Sequence, residues 1–156
     1  GFSISCLTQL QQRIHHAVYL GGLSVHEKVP EVSYFLGVSA FEALFQKETD
    51  KYVNPSIAQQ IIESFCYLVA DESHRRNVFE TMRPFYGKRS AFAHGGKTIV
   101  STGDLDLLRA YLRAAILKLI DDPELSRLKT IDEVAALICD KKFGAKINVA
   151  DKNGGR

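Results

Sequence analysis

Of the five histidines in this chain, His94 has the neighbours that suggest chemistry. It closes the run Arg89-Ser90-Ala91-Phe92-Ala93-His94, with Phe85-Tyr86-Gly87-Lys88 before it and Gly95-Gly96-Lys97 after it. Histidine can take and give a proton near neutral pH. Arginine is permanently charged, and its fork of donors matches a phosphate. Brought to one phosphodiester, the two could cleave RNA without a metal. The imidazole would take the 2′-hydroxyl proton or protonate the leaving 5′-oxygen, while the guanidinium stabilises charge on the phosphorane. The products would be a 2′,3′-cyclic phosphate and a 5′-hydroxyl. In a chain with nine arginines and five histidines such a pair also arises by chance. On the pair alone, a surface cation and a helix-end histidine is the better reading, so the surrounding residues must carry the rest.

No other residue set competes. His15 and His16 are adjacent, so on a helix they point about 100° apart and make a poor joint metal site. His26 and His74 fall near expected helix starts or loops, where a solvated histidine is ordinary. Cys6, Cys66 and Cys139 are far apart and form no Cys-x-x-Cys pair, which argues against a disulfide framework and against zinc. Three buried or half-buried thiols in a reducing cytosol are expected. There is no phosphate-binding glycine loop and no nucleophile elbow. No metal and no cofactor are therefore expected.

The elements that must position the pair all read as helices. Leu7, Leu10, Ile14 and Val18 lie at helical spacing between Cys6 and Leu20, with Gly21-Gly22 expected to stop that helix. Pro30 opens a second helix, with a stripe of Val32, Phe35, Leu36, Ser39 and Ala43 widened by Ala40 and Leu44. Its aromatic density predicts a central place. Asn54-Pro55-Ser56 starts a third helix carrying Ile57, Ile61, Phe65 and Leu68 to about Ala70. Asp71 or Ser73 caps a fourth with Val78, Phe79, Met82, Phe85 and Tyr86, where Pro84 and Gly87 predict a kink or break. Thr98 to Gly103 reads as a loop. A fifth helix starts near Asp104 with the face Leu105, Leu108, Leu112, Ala115 and Leu119, and Pro123 lies past its end. Thr130-Ile131-Asp132-Glu133 is a capping box that opens a last helix to about Lys141. Residues 151–156 are polar and glycine-rich and are expected to fray. The reading is all-α: a bundle of five to six helices in one domain over 1–150, with a flexible tail over 151–156.

Regular helix geometry sets the pair a problem. Five residues of rotation separate Arg89 from His94 by about 140°, too far for both to grip one phosphate. Either the helix breaks near them or a second protomer completes the site.

Composition sets outer limits. At 156 residues, 46% hydrophobic and 24% charged, the chain suits one globular domain with a real core. No run approaches the ~20 apolar residues of a membrane span, and no signal segment opens the chain. A cytoplasmic location without membrane contact is expected. Because the chain begins at Gly1 and its single methionine is Met82, it is expected to be a piece of a longer product. The net charge of +2 is mild, but between Asp71 and Ile120 nine Lys/Arg stand against five Asp/Glu. Arg76 and Arg83 share one helix face and Arg109 and Arg113 another, so with Lys88 and Lys97 they are candidate contacts to an RNA backbone. A solvated helix face would look the same. Glu42, in a largely apolar helix, could orient Arg89 or His94, or form a structural salt bridge.

Two of these stretches together resemble a known family. Ala40-Phe41-Glu42-Ala43-Leu44, followed by Tyr86-x-x-Arg89-Ser90-x-x-x-His94-Gly95, is similar to the paired motifs of Apea-like members of the HEPN superfamily, the higher eukaryotes and prokaryotes nucleotide-binding domains. The resemblance covers roughly 29–120. It implies a HEPN-like helical bundle and an RNA-directed activity in defence or toxin systems. Such activity is usually performed by a homodimer whose two Arg-x-x-x-x-His motifs meet in one cleft. It further implies Arg89 and His94 as catalytic residues, with Tyr86, Ser90 and Glu42 in support. Ser90 stands where nucleolytic relatives often carry Asn, Asp or His. Gly96 stands where the branch paired with a nucleotidyltransferase antitoxin has tyrosine, which sets this chain apart from that branch. A non-catalytic RNA- or nucleotide-binding module, or a dimerisation module, of a larger protein is the alternative.

Overall fold

The computed structural model describes residues 6–47 and 55–144. Six α-helices account for them: α1 Gln9–His26, α2 Pro30–Phe45, α3 Pro55–Val69, α4 Glu72–Ala93, α5 Thr102–Asp121 and α6 Ile131–Phe143. A 3-10 turn, Leu125–Arg127, follows α5. Among the described residues there is no strand, and the all-helical bundle agrees with the sequence pattern. None of these helices is long and apolar enough to cross a membrane. Asn54, the end of the expected 1–150 domain and the 151–156 tail lie outside the described residues.

Local signals place most helix ends. Thr8 closes a capping box with Gln11 at the start of α1, Pro30 occupies the first turn of α2, and Asp71 accepts the His74 backbone N–H at the start of α4. Ser101 pairs with Asp104 to open α5, and Thr130 with Glu133 to open α6. One expected stop fails, and of the kink or break expected in α4 the break is absent. α1 runs through Gly21-Gly22 to His26, and α4 runs unbroken through Pro84 and Gly87. In α1 the helix is held beyond the glycines by Ser24, whose hydroxyl donates to the Ser33 carbonyl at 2.7 Å, while the Ser33 hydroxyl donates back to the Ser24 carbonyl at 2.6 Å. In α4, Met82, Phe85 and Tyr86 are buried on both sides of an exposed Pro84 ring, so packing outweighs the lost backbone hydrogen bond.

The helix α2 lies at the centre, packed against α1, α3, α4 and α5. Its buried residues are Ser33, Tyr34, Gly37, Val38, Ala40, Phe41, Glu42, Leu44 and Phe45. The expected stripe of Val32, Phe35, Leu36, Ser39 and Ala43 is only half-buried. A helix that is apolar nearly all round carries little direction in its pattern, and its neighbours decide which side is covered. By contrast, the α5 face Leu105, Leu108, Leu112, Ala115 and Leu119 is buried as predicted. α2 and α5 approach closely at Gly37, where a Cβ would meet Leu108 Cδ2 at 2.6 Å. Phe41 and Phe65 meet edge to face at 5.4 Å, as do Tyr34 and Phe85 at 5.9 Å. Of the thiols, Cys66 is buried and pushed up to about 11 by burial, but Cys6 and Cys139 are exposed, against expectation.

Candidate active site at the end of α4

The C-terminal end of α4 carries both motif residues, about one and a half turns apart, and gives them opposite surroundings. His94 is the C-cap, and Gly95 follows in the left-handed region at φ 73°. The Gly95 N–H donates to the Phe92 carbonyl at 3.1 Å and the Gly96 N–H to the Ala91 carbonyl at 2.8 Å. This is the double closure that a glycine after the cap permits. The helix is therefore intact through Arg89 and ends at His94. The His94 side chain is exposed, with no side-chain partner among the described residues.

Arg89 turns inward. Its Nε lies 3.0 Å from Glu42 Oε1, and Nη2 donates to Glu42 Oε2 at 3.2 Å. The Nε contact is too bent for a full hydrogen bond, so charge attraction carries it. The guanidinium also sits 5.2 Å from the Phe35 ring, which in turn packs on Phe92 at 5.7 Å. Only 22% of the Arg89 side chain and 11% of the Glu42 side chain reach solvent. Burial pushes the Glu42 carboxyl above its ordinary range, and the Arg89 charge pulls only partly against it. Beside this pair the Tyr86 hydroxyl is buried without a hydrogen bond. Burial, then the Glu42 charge, holds it well above the usual phenol range.

One residue before Arg89, Lys88 Nζ contacts Asp104 Oδ2 at 2.6 Å. Asp104 also accepts from the Ser101 backbone and hydroxyl, and Lys88 foremost lowers its pKa. The start of α5 is thus tied to α4 one residue before Arg89. Glu42 also borders a groove of about 630 Å³ between α1 and α2, together with Arg13, His16 and Ser39. Arg13 Nη1 donates to the Ala43 and Gln46 carbonyls at 3.0 and 2.7 Å, closing the C-terminus of α2.

The structure therefore brings Glu42, Tyr86 and Arg89 together and sets His94 apart from them on the surface. Ser90 is exposed. The other sequence-named cations scatter. Arg109 points inward, its Nη2 donating to the Ser24 carbonyl at 3.0 Å and to Ser33 Oγ at 3.1 Å. Arg83 faces Glu80 at 3.3 Å on an exposed turn. Arg76, Lys97 and Arg113 are exposed without ion-pair partners among the described residues. Of the contributors that sequence reasoning passed over, Phe35 was read as core and Asp104 as a helix start. Their link to the motif runs across sequence separations that no local pattern reports. Comparison with protein-family models, with curated proteins and with solved structures gives no match.

Proposed function

We propose that this chain is a metal-independent endoribonuclease of HEPN type, working in a defence or toxin setting and acting as a dimer through Arg89 and His94. One observation carries the reading: a buried carboxylate, Glu42, fixes Arg89 about one and a half turns before the point where the same helix ends on a solvent-facing His94. A cation held in place costs little further reorganisation when charge develops on a phosphate. A histidine at an exposed cap can meet a substrate without moving the fold. In the reaction the RNA 2′-oxygen attacks phosphorus and the bond to the 5′-oxygen breaks. Imidazole takes the incoming proton or gives one to the leaving oxygen, and guanidinium faces the phosphorane. The two side chains of one protomer lie in different surroundings, so the site is composite: His94 of one protomer works with Arg89 of the other. Lys97, three residues past His94 and unpaired, is placed to hold a neighbouring phosphate.

The second reading, a non-catalytic RNA- or nucleotide-binding or dimerisation module of a larger protein, is favoured by one specific fact. The Arg89 guanidinium is already engaged by Glu42 and Phe35, which suits a structural cation. The test is incubation of the whole chain with mixed RNA in excess chelator, beside His94→Ala. Cleavage by the parent alone, leaving 2′,3′-cyclic phosphate ends, establishes the enzyme. Salt-dependent binding without cleavage selects the second reading.

A further inference from the structure

Away from the motif, the later halves of α1 and α5 expose apolar side chains next to each other. Val18 is 51%, Val25 57%, Leu117 43% and Ile120 49% exposed. Between the two helices lies a groove of about 330 Å³ formed by Val18, Gly21 and Val25 from α1 and Leu112, Ile116 and Leu117 from α5. Single exposed apolar residues are ordinary, but a contiguous apolar groove marks a place where something docks.

Gly22 strengthens the case. A glycine inside a helix weakens it, so each one calls for a reason. Gly21 has one within the fold, since a Cβ there would press on Leu112 Cδ2 at 3.0 Å. Gly22 has none: a Cβ would meet nothing within 4 Å. Its spacing from Val18 and Val25 puts it on their exposed face, where a missing side chain lets another backbone come close.

Charge selects the occupant. Arg113, Leu117 and Asp121 follow at four-residue steps along one face of α5, and both charged residues are exposed with no ion-pair partner among the described residues. A stripe running cation, apolar, anion complements itself when a second one is laid on it antiparallel. A two-fold axis at Leu117 sets each Arg113 opposite the Asp121 of the other copy. We propose that this face binds a second copy of this chain, α5 against α5 in antiparallel register about Leu117, with the Gly22 face of α1 at the edge of the contact. Leu117 is thirteen residues along α5 from Asp104, which anchors Lys88 beside the motif, a span of about 20 Å. This pairing leaves the two motifs apart. It is distinct from the dimer invoked for catalysis and does not rest on the proposed activity.

The experiment is light scattering or sedimentation of the whole chain over a wide concentration range. The parent is expected to self-associate, and Arg113→Asp to weaken this by about tenfold or more. Adding Asp121→Arg to that variant is expected to restore it nearly to the parent value. Gly22→Leu is expected to weaken association while the thermal midpoint of the dilute monomer holds or rises, because the fold has room for the side chain. Any of three results overturns the proposal: a parent monomeric at high micromolar concentration, an Arg113→Asp variant that associates like the parent, or a double variant as weak as the single one.

Discussion

The two ends of α5 treat charge and water in opposite ways. At its beginning, the Lys88–Asp104 contact at 2.6 Å and the neighbouring Arg89–Glu42 pair hold charges partly out of water and matched. At its end Lys118 and Asp122 are paired at 2.7 Å, but Leu117 and Ile120 stand in water and Arg113 and Asp121 have no ion-pair partner among the described residues. Withdrawing charge from solvent is costly and tolerated only with well-placed partners, so the first end is completed within the chain. Exposed apolar surface gains by being covered, so the second end is completed from outside. A region with its contacts satisfied is suited to holding groups in fixed geometry; one with contacts unsatisfied is suited to association.

The largest expected effect tests the completed end. His94→Ala should lower RNA cleavage by about 100- to 10,000-fold and leave the thermal midpoint almost unmoved, because the exposed imidazole has no side-chain partner in the fold. A midpoint that falls steeply in a thermal scan would make His94 a structural residue and erase the contrast. Next, Glu42→Ala should remove about 3 kcal/mol of unfolding free energy in a urea titration, since it strands the Arg89 guanidinium. Glu42→Gln should cost less, because the amide still accepts from Arg89 and carries no charge to desolvate. A loss no larger than at an exposed pair such as Arg83–Glu80 would mean that Glu42 holds Arg89 no more firmly than a solvated partner would.

Two glycine substitutions should act with opposite signs. Gly95→Ala must adopt φ 73° and should cost about 1 kcal/mol. Gly22→Ala, in open space on a helix, should stabilise the dilute monomer by about 0.5–1 kcal/mol. The same titration reads both, and equal signs would contradict the assignment of Gly22 to an outward role.

The smallest effect is the acid response. Lys88 and the Ser101 groups hold Asp104 below the ordinary aspartate value, so its contribution is complete above about pH 4 and lost as pH falls further. Glu42 works the other way: its raised pKa means that the fold holds the proton more tightly, so its ionisation opposes folding as pH rises past the ordinary glutamate value. Urea midpoints measured from neutral to acid pH should fall below about pH 4 in the parent and fall less in Lys88→Met. Identical profiles would show that Lys88 does not set the Asp104 shift.

Much of the fold was legible because its signals are local. The capping box of Thr130 with Glu133, Pro30 at a first turn, Asp71 at a cap and Gly95-Gly96 past an end act within one helical turn, and each stands where its neighbours in sequence place it. The α5 stripe was legible for a related reason, since a helix buried on one side writes its orientation into its period. At the site, the motif could be picked out and Glu42 singled out as a partner for Arg89 or His94. The choice between those two could not be made.

What the sequence alone determined was helix content, most helix boundaries and the motif's position at a helix end, all products of interactions spanning three or four residues. Tertiary structure decided the rest. It carried α1 through two glycines and α4 through Pro84, chose which side of α2 is core, gave Glu42 to Arg89, turned Arg109 inward and left Val18, Val25 and Leu117 outside. Each of these outcomes weighs a local cost of about 1–3 kcal/mol against contacts between residues far apart in the chain, and that balance exists only once the helices are packed.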